Sequence, residues 1–293
     1  MLAPVSSSVP IGGPTARRLQ LGARLRALRE ARGLTRAQAG EAIRSSESKI
    51  SRLELGRVGF KERDVTDLLS LYEIDGRERE DLLALMREAN AHGWWHEYSD
   101  VIAPWFVQYL DLEQAAELIR TYEVQFAPGL LQTADYARAV ITLAHGSTPP
   151  ADIERRVNLR LARARILHRP NPPKLWAVID EAVLHRPIGG RAALREQIEA
   201  LLAATDLPNV QLQVIPFGAG GHTAAGGAFS ILRFPDQDLP DVVYLEHLIN
   251  AQYLDKQDDI DFYSAMVSQL FIEAEQPQRT PDILREALRA LDE

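Results

Sequence analysis

Apolar residues recur near helical spacing at the start of the chain. Leu19, Leu21, Leu25 and Leu28, separated by arginines, predict a helix from Thr15 to about Arg32, ended by Gly33. Thr35 offers a cap for a short helix from Arg36 to Ile43. Ser45-Ser46 supplies a turn and a fresh N-cap, and a third helix runs from Glu47 to about Leu55, stopped by Gly56. Two amphipathic stretches, 61–72 and 77–90, predict two more helices on either side of the turn Asp75-Gly76. Ahead of these five short helices, the Ser/Pro/Gly-rich residues 1–14 read as a disordered tail.

The pattern then changes twice. Residues 91–170 read as a helical linker with aromatic punctuation, broken at Pro128-Gly129 and resuming at Thr133 to about Ala144 and at Ala151 to His168. From 171 onward strands enter: Leu175–Val183, Val210–Phe217, Ala228–Phe234 and Val242–Leu245. The alternation in Val210–Phe217 predicts a strand with one covered face. Helices are predicted over 191–204, 258–275 and 281–292, the last with Thr280 as N-cap and Pro281 at N1. The fold class is therefore a mainly α N-terminal domain of five helices (15–90). A helical segment (91–170) joins it to an α+β C-terminal domain (171–293) with about four strands.

Charge sharpens this picture because it is segregated. The net charge is −8, yet residues 15–63 hold 13 Lys/Arg against 5 Asp/Glu, or +8, and the chain from 64 onward holds 20 against 36, or −16. A basic unit on an acidic body points one end at a polyanion. The absence of cysteine excludes disulfides, thiolate catalysis and Cys-based zinc sites. No run approaches the ~20 apolar residues of a membrane span. The N-terminus lacks the basic start and apolar core of a secretory signal, so a cytoplasmic protein is expected, on the nucleoid when bound to DNA.

Residues 34–57 carry the sharpest signal. Ala37, Ala39, Ile43, Ile50 and Leu53 are apolar where two short crossed helices must pack. The second helix is left with a polar face of Glu47, Ser48, Lys49 and Arg52. Such a helix fits the ~12 Å major groove of DNA, where Glu47, Ser48, Lys49 and Arg52 would reach base edges, with Arg36 and Arg57 placed to hold phosphates. This segment resembles the Cro/repressor, or XRE-type, class of helix-turn-helix domains. The matching residues are Leu34, Thr35, Gly40, Ser46, Ile50, Ser51, Arg52, Glu54 and Gly56. The resemblance implies that Glu47, Ser48 and Arg52 read bases, that Arg36, Ser46 and Arg57 touch phosphate, and that Arg29 and Glu54 form a structural ion pair. Two positions are unusual for the family: Gly40 fills an Ala/Gly position where Ala is the commoner residue, and Arg44 stands at the turn position where Gly is usual. If Arg44 takes φ > 0 the strain is about 1 kcal/mol; otherwise the turn is remodelled.

The acidic body offers little chemistry. The glycine-rich stretch 218–227 follows a strand, but it has neither a complete G-x-G-x-x-G nor a Gly-Lys-Ser/Thr, and a hairpin or lid loop is the expectation. Asp180, Glu181, His185, His222, Glu246 and His247 are candidates for a metal or acid–base site, without any ligand-type spacing. The arginines of 151–168 suit either a DNA backbone or a face paired with the acidic body. Several pieces, Tyr122–Ala139, Ile179–Gly190, Val210–Gly221, Gly227–Phe234 and Val243–Leu254, resemble the domain of unknown function that follows an XRE-type reader in WhiJ-like actinobacterial developmental regulators. That resemblance implies a transcription regulator tuned by a small partner protein encoded nearby, and supplies no catalytic residue.

The leading expectation is a sequence-specific DNA-binding transcription regulator, a homodimer on a pseudo-palindromic operator. A small protein or small-molecule ligand on the C-terminal domain would tune it. It is read as no enzyme, with no cofactor and no metal. The alternatives are an antitoxin-like half of a two-protein module, and an enzyme fused to a DNA reader, which requires His185, His222 or His247 to converge in one pocket.

Overall fold

The computed structural model describes residues 13–56, 58–91, 93–224, 226–235 and 239–292. The expected tail falls almost wholly outside them. The chain divides into two compact units. The first comprises the described residues up to His96 with Gln108–Ala115, Pro235 and Leu239; the second comprises Glu97–Val107, Ala116–Phe234 and the chain from Pro240.

The first unit is built on five helices: α1 (Pro14–Ala31), α2 (Arg36–Ala42), α3 (Glu47–Glu54), α4 (Glu62–Leu71) and α5 (Gly76–Ala89). Their apolar stripes meet in one core that includes Leu21, Leu25, Ile43, Ile50, Leu53, Val65, Leu68, Tyr72 and Met86. Helices α1 and α3 pack closely because Gly22 lacks a side chain. A Cβ there would lie 2.6 Å from the carbonyl oxygens of both Leu53 and Glu54. Helix α6 (Phe106–Ala115) gives its Gln108–Ala115 part to this unit. From it the buried Asp111 caps α1 across 96 residues of sequence. Its carboxylate accepts from Thr15 N (3.1 Å), Thr15 Oγ1 (2.6 Å) and Trp95 Nε1 (2.7 Å).

The second unit is α+β, with a six-stranded mixed sheet rather than about four strands. Its strands are β1 (Leu118–Glu123), β2 (Lys174–Asp180), β3 (Val210–Ile215), β4 (Phe229–Arg233), β5 (Val242–Glu246) and β6 (Ala251–Leu254), in the order β3-β2-β1-β4-β5-β6. The pairs β3–β2 and β2–β1 are parallel and the remaining pairs antiparallel. Helices α7 (Ala134–Ala144) and α8 (Pro150–Ala164) precede β2, and the short α9 (Ala182–His185) and α10 (Arg191–Ala204) precede β3. Helix α11 (Gln257–Glu273) covers the sheet face that carries Tyr122, Val178, Ile215, Phe229 and Val243, and α12 (Thr280–Ala290) closes on β3 and α10.

Four differences from the sequence reading have physical causes. The segment 91–170, expected to be a helical linker, contains β1, a central strand whose polar Arg120 and Thr121 are buried and hide its pattern. The second additional strand, β6, has only four residues. Strand β3 has a polar member inside as well: Gln213 is buried and donates to the carbonyls of Phe271 (3.1 Å) and Glu275 (2.9 Å). Thr280 is the first helical residue of α12 rather than its N-cap, and its hydroxyl donates to Leu212 O at 2.7 Å.

Candidate nucleic-acid interface

The helix-turn-helix is α2, a turn and α3. Thr35 opens α2 with a capping box, accepting from Gln38 N (3.2 Å) while the Gln38 side chain accepts from Thr35 N (2.8 Å). Ser46 opens α3 by accepting from Lys49 N at 3.2 Å. Between them Ser45 N donates to Gly40 O (2.8 Å) and Arg44 N to Glu41 O (3.0 Å), the bonding pattern of a Schellman turn. That turn needs a left-handed residue, and Arg44 supplies it at φ 55°. Gly40 is its counterpart: a Cβ there would sit 2.9 Å from Ser45 O, so the unusual glycine lets the turn close over α2.

Helix α3 buries Ile50, Leu53 and Glu54 and turns Ser46, Glu47, Ser48 and Arg52 outward. Its length of eight residues keeps this face narrow. Arg52 lies along its own helix, with Nε 3.3 Å from Ser48 O. Lys49 departs from the expected face. It is half-buried, and its ammonium pairs with Asp64 of α4. Nothing in the local sequence announces that pairing, because it depends on how α4 packs.

Arg29 and Glu54 form a two-pronged ion pair, Nε to Oε1 and Nη2 to Oε2 (3.1 Å), with side chains 7% and 2% exposed. This contact, first among the causes, holds the Arg29 guanidinium above its usual range. Arg36 joins the same carboxylate through Nε at 3.0 Å. Its terminal nitrogens have no partner among the described residues and remain available at the N-terminus of α2. Arg57 lies outside the described residues.

Of the candidate acid–base residues, Glu181 and His185 come together. Asp180 accepts from Ala182 N (2.8 Å), and Glu181 accepts from Phe217 N (2.7 Å) and faces His185 Nε2 (3.3 Å). His222 Nε2 meets Tyr122 OH (2.9 Å), and Glu246 accepts from Tyr244 OH (2.9 Å). His247 N donates to the carbonyl of Asn250 (2.8 Å). Among the described residues, no three His, Asp or Glu are grouped to hold a metal ion. The glycine-rich stretch, of which Ala225 is outside the described residues, is not a hairpin, since β3 and β4 are not neighbours. It joins the edge strand to the far side of β1. The arginines of α8 turn largely to the body. Arg155 pairs with Asp100, Arg160 donates to Gln132 (2.7 Å), and the buried Arg163 lies over the Phe106 ring (4.9 Å). No helix among the described residues is long and apolar enough to cross a membrane.

Comparison with known families adds two matches. Residues 20–82 match a family model described as Helix-turn-helix domain, and residues 106–286 match one described as Domain of unknown function (DUF5753). No curated protein and no solved structure matches the chain.

Proposed function

The chain belongs to the DUF5753 family and carries an XRE-like helix-turn-helix domain, making it a DNA-binding regulator, and we propose that it acts as a homodimer on a pseudo-palindromic operator. In this reading α3 enters the major groove and Glu47, Ser48 and Arg52 meet base edges. Arg52 suits a guanine, and Glu47 suits a cytosine amino group. Ser46 and the free end of Arg36 hold phosphates, as does Arg57. Lys49 acts as a strut to α4 and reaches DNA only by leaving Asp64. The observation that carries the proposal is the outward polar face of α3 on a segment of +8 charge.

Dimerisation is expected because one short reader makes few phosphate contacts; two readers about 34 Å apart bind together far more tightly. The DUF5753 domain is proposed to receive the small partner protein or small ligand that tunes binding. The enzyme alternative is not carried further: His185 Nε2 lies beside Glu181 (3.3 Å) and His222 Nε2 beside Tyr122 OH (2.9 Å). Selection of duplexes from a random pool by the full chain tests the proposal. Enrichment of an inverted repeat with half-sites one helical turn, or a multiple of it, apart is the expected result. Recovery of a single asymmetric site, or no enrichment, would overturn the dimeric part or the whole.

A further inference from the structure

Where β2 and β3 begin, the second unit has an open groove of about 380 Å³, within the ~300–1,000 Å³ range of small-molecule sites. Lys174 and Trp176 stand two residues apart on β2, so they share a sheet face roughly 6.6 Å apart along the strand. The Trp176 ring is braced edge-on by Phe271 of α11, with centroids 6.0 Å apart and planes at 81°. Pro208 and Pro277 add rigid apolar wall. Asn209 is tied by its amide to the carbonyls of Leu167 (3.2 Å) and Pro173 (3.1 Å), and Gln211 donates to Gln213 (2.8 Å).

Two donors in this lining are unspent. Among the described residues the Lys174 ammonium has no ion pair, and the Trp176 indole N–H has no hydrogen bond. No Asp or Glu lines the groove, although the chain from 64 onward carries −16. A concavity whose one charge is positive, in so acidic a stretch, selects anions. The indole and the two prolines favour a flat apolar body.

We infer that this groove binds a small planar carboxylate, with its ring against Trp176 and Pro208 and its carboxylate on Lys174. The inference gives a chemical class to the ligand of the proposed regulation. It rests on that reading only for its regulatory consequence, since binding is measured without DNA.

The test follows the indole N–H signals of the ¹⁵N-labelled full chain, with Trp176→Phe identifying the Trp176 signal. The probe is 2-naphthoate, with 2-naphthylmethanol and 2-naphthylmethylamine as its neutral and cationic counterparts. The Trp176 signal should shift saturably with 2-naphthoate while those of Trp94, Trp95 and Trp105 stay fixed. Affinity should fall about tenfold for the alcohol, and by a similar factor in Lys174→Gln, the scale of one charge-assisted hydrogen bond. Lys174→Glu should abolish the shift. No saturable shift in the millimolar range, equal binding of the alcohol or amine, or undiminished binding by Lys174→Glu would each overturn the inference. Those results would leave the selection of DNA sites unaffected.

Discussion

Replacing Glu54 by alanine removes the anion on which Arg29 and Arg36 converge. The consequences differ for the two arginines. Arg36 is 36% exposed and turns to water. Arg29 is 7% exposed and cannot. It keeps its bond to Leu34 O (2.7 Å) and its contact with Glu30 (3.3 Å), but loses both prongs to Glu54. Removing one partner of a buried pair costs roughly 3–5 kcal/mol, and the retained contacts put Glu54→Ala near the lower end, about 3 kcal/mol. Native-state hydrogen exchange on the full chain reads this loss unit by unit. Buried amides of α1 and α3, such as Leu25 and Leu53, should lose roughly a hundredfold in protection. Amides of the sheet, such as Ile119 and Val178, should keep theirs. The double variant Arg29→Met/Glu54→Leu should recover most of the loss, because no charge is then left buried. A change below about 0.5 kcal/mol in the reader, within the range of ordinary surface substitutions, would refute the reasoning. So would an equal loss in the sheet.

Three further outcomes are expected. Arg44→Gly relieves a left-handed residue at a cost of about 1 kcal/mol against about 0.5 kcal/mol of added unfolded-chain freedom, so exchange protection of α2 and α3 should rise slightly; a clear loss would contradict the turn geometry. Asp111→Ala strands the first turn of α1 and the Trp95 indole, costing about 2–3 kcal/mol, visible as faster exchange at the start of α1 and a moved Trp95 indole signal; an unmoved signal would count against the cap. Burial, then the Glu246 charge, pushes the Glu123 carboxyl up to about 8 despite Arg160 and Arg163. A raised acid favours the fold while protonated, so its contribution is full below the ordinary carboxylate range and declines as pH rises through about 8. Thermal melts of the sheet across that window should flatten in Glu123→Gln, and an unchanged slope would contradict the assignment.

The helical reader was legible because each of its signals is local. Thr35 and Ser46 mark caps, Gly33 and Gly56 mark stops, and the apolar stripes follow one period. Even the Arg44 conflict was visible, since a turn of that length needs a left-handed residue there. What escaped was tertiary. Strand β1 is flanked by partners on both sides and buries Arg120 and Thr121, so neither alternation nor an unbroken apolar run betrays it. Lys49 reads as an outward residue until α4 brings Asp64 beneath it. The Lys174–Trp176 groove exists only because the approaches to β3 and α12 fold beside β2.

The claim that α3 presents the reading face is tested most directly by Arg52→Ala. Its affinity would be measured by fluorescence anisotropy on the selected operator and on a scrambled duplex of equal length, at one salt concentration. The account predicts a loss of about 1–3 kcal/mol on the operator, roughly 5- to 150-fold, and little change on the scrambled duplex. Equal weakening on both duplexes would contradict it, because Arg52 would then be holding backbone rather than reading bases.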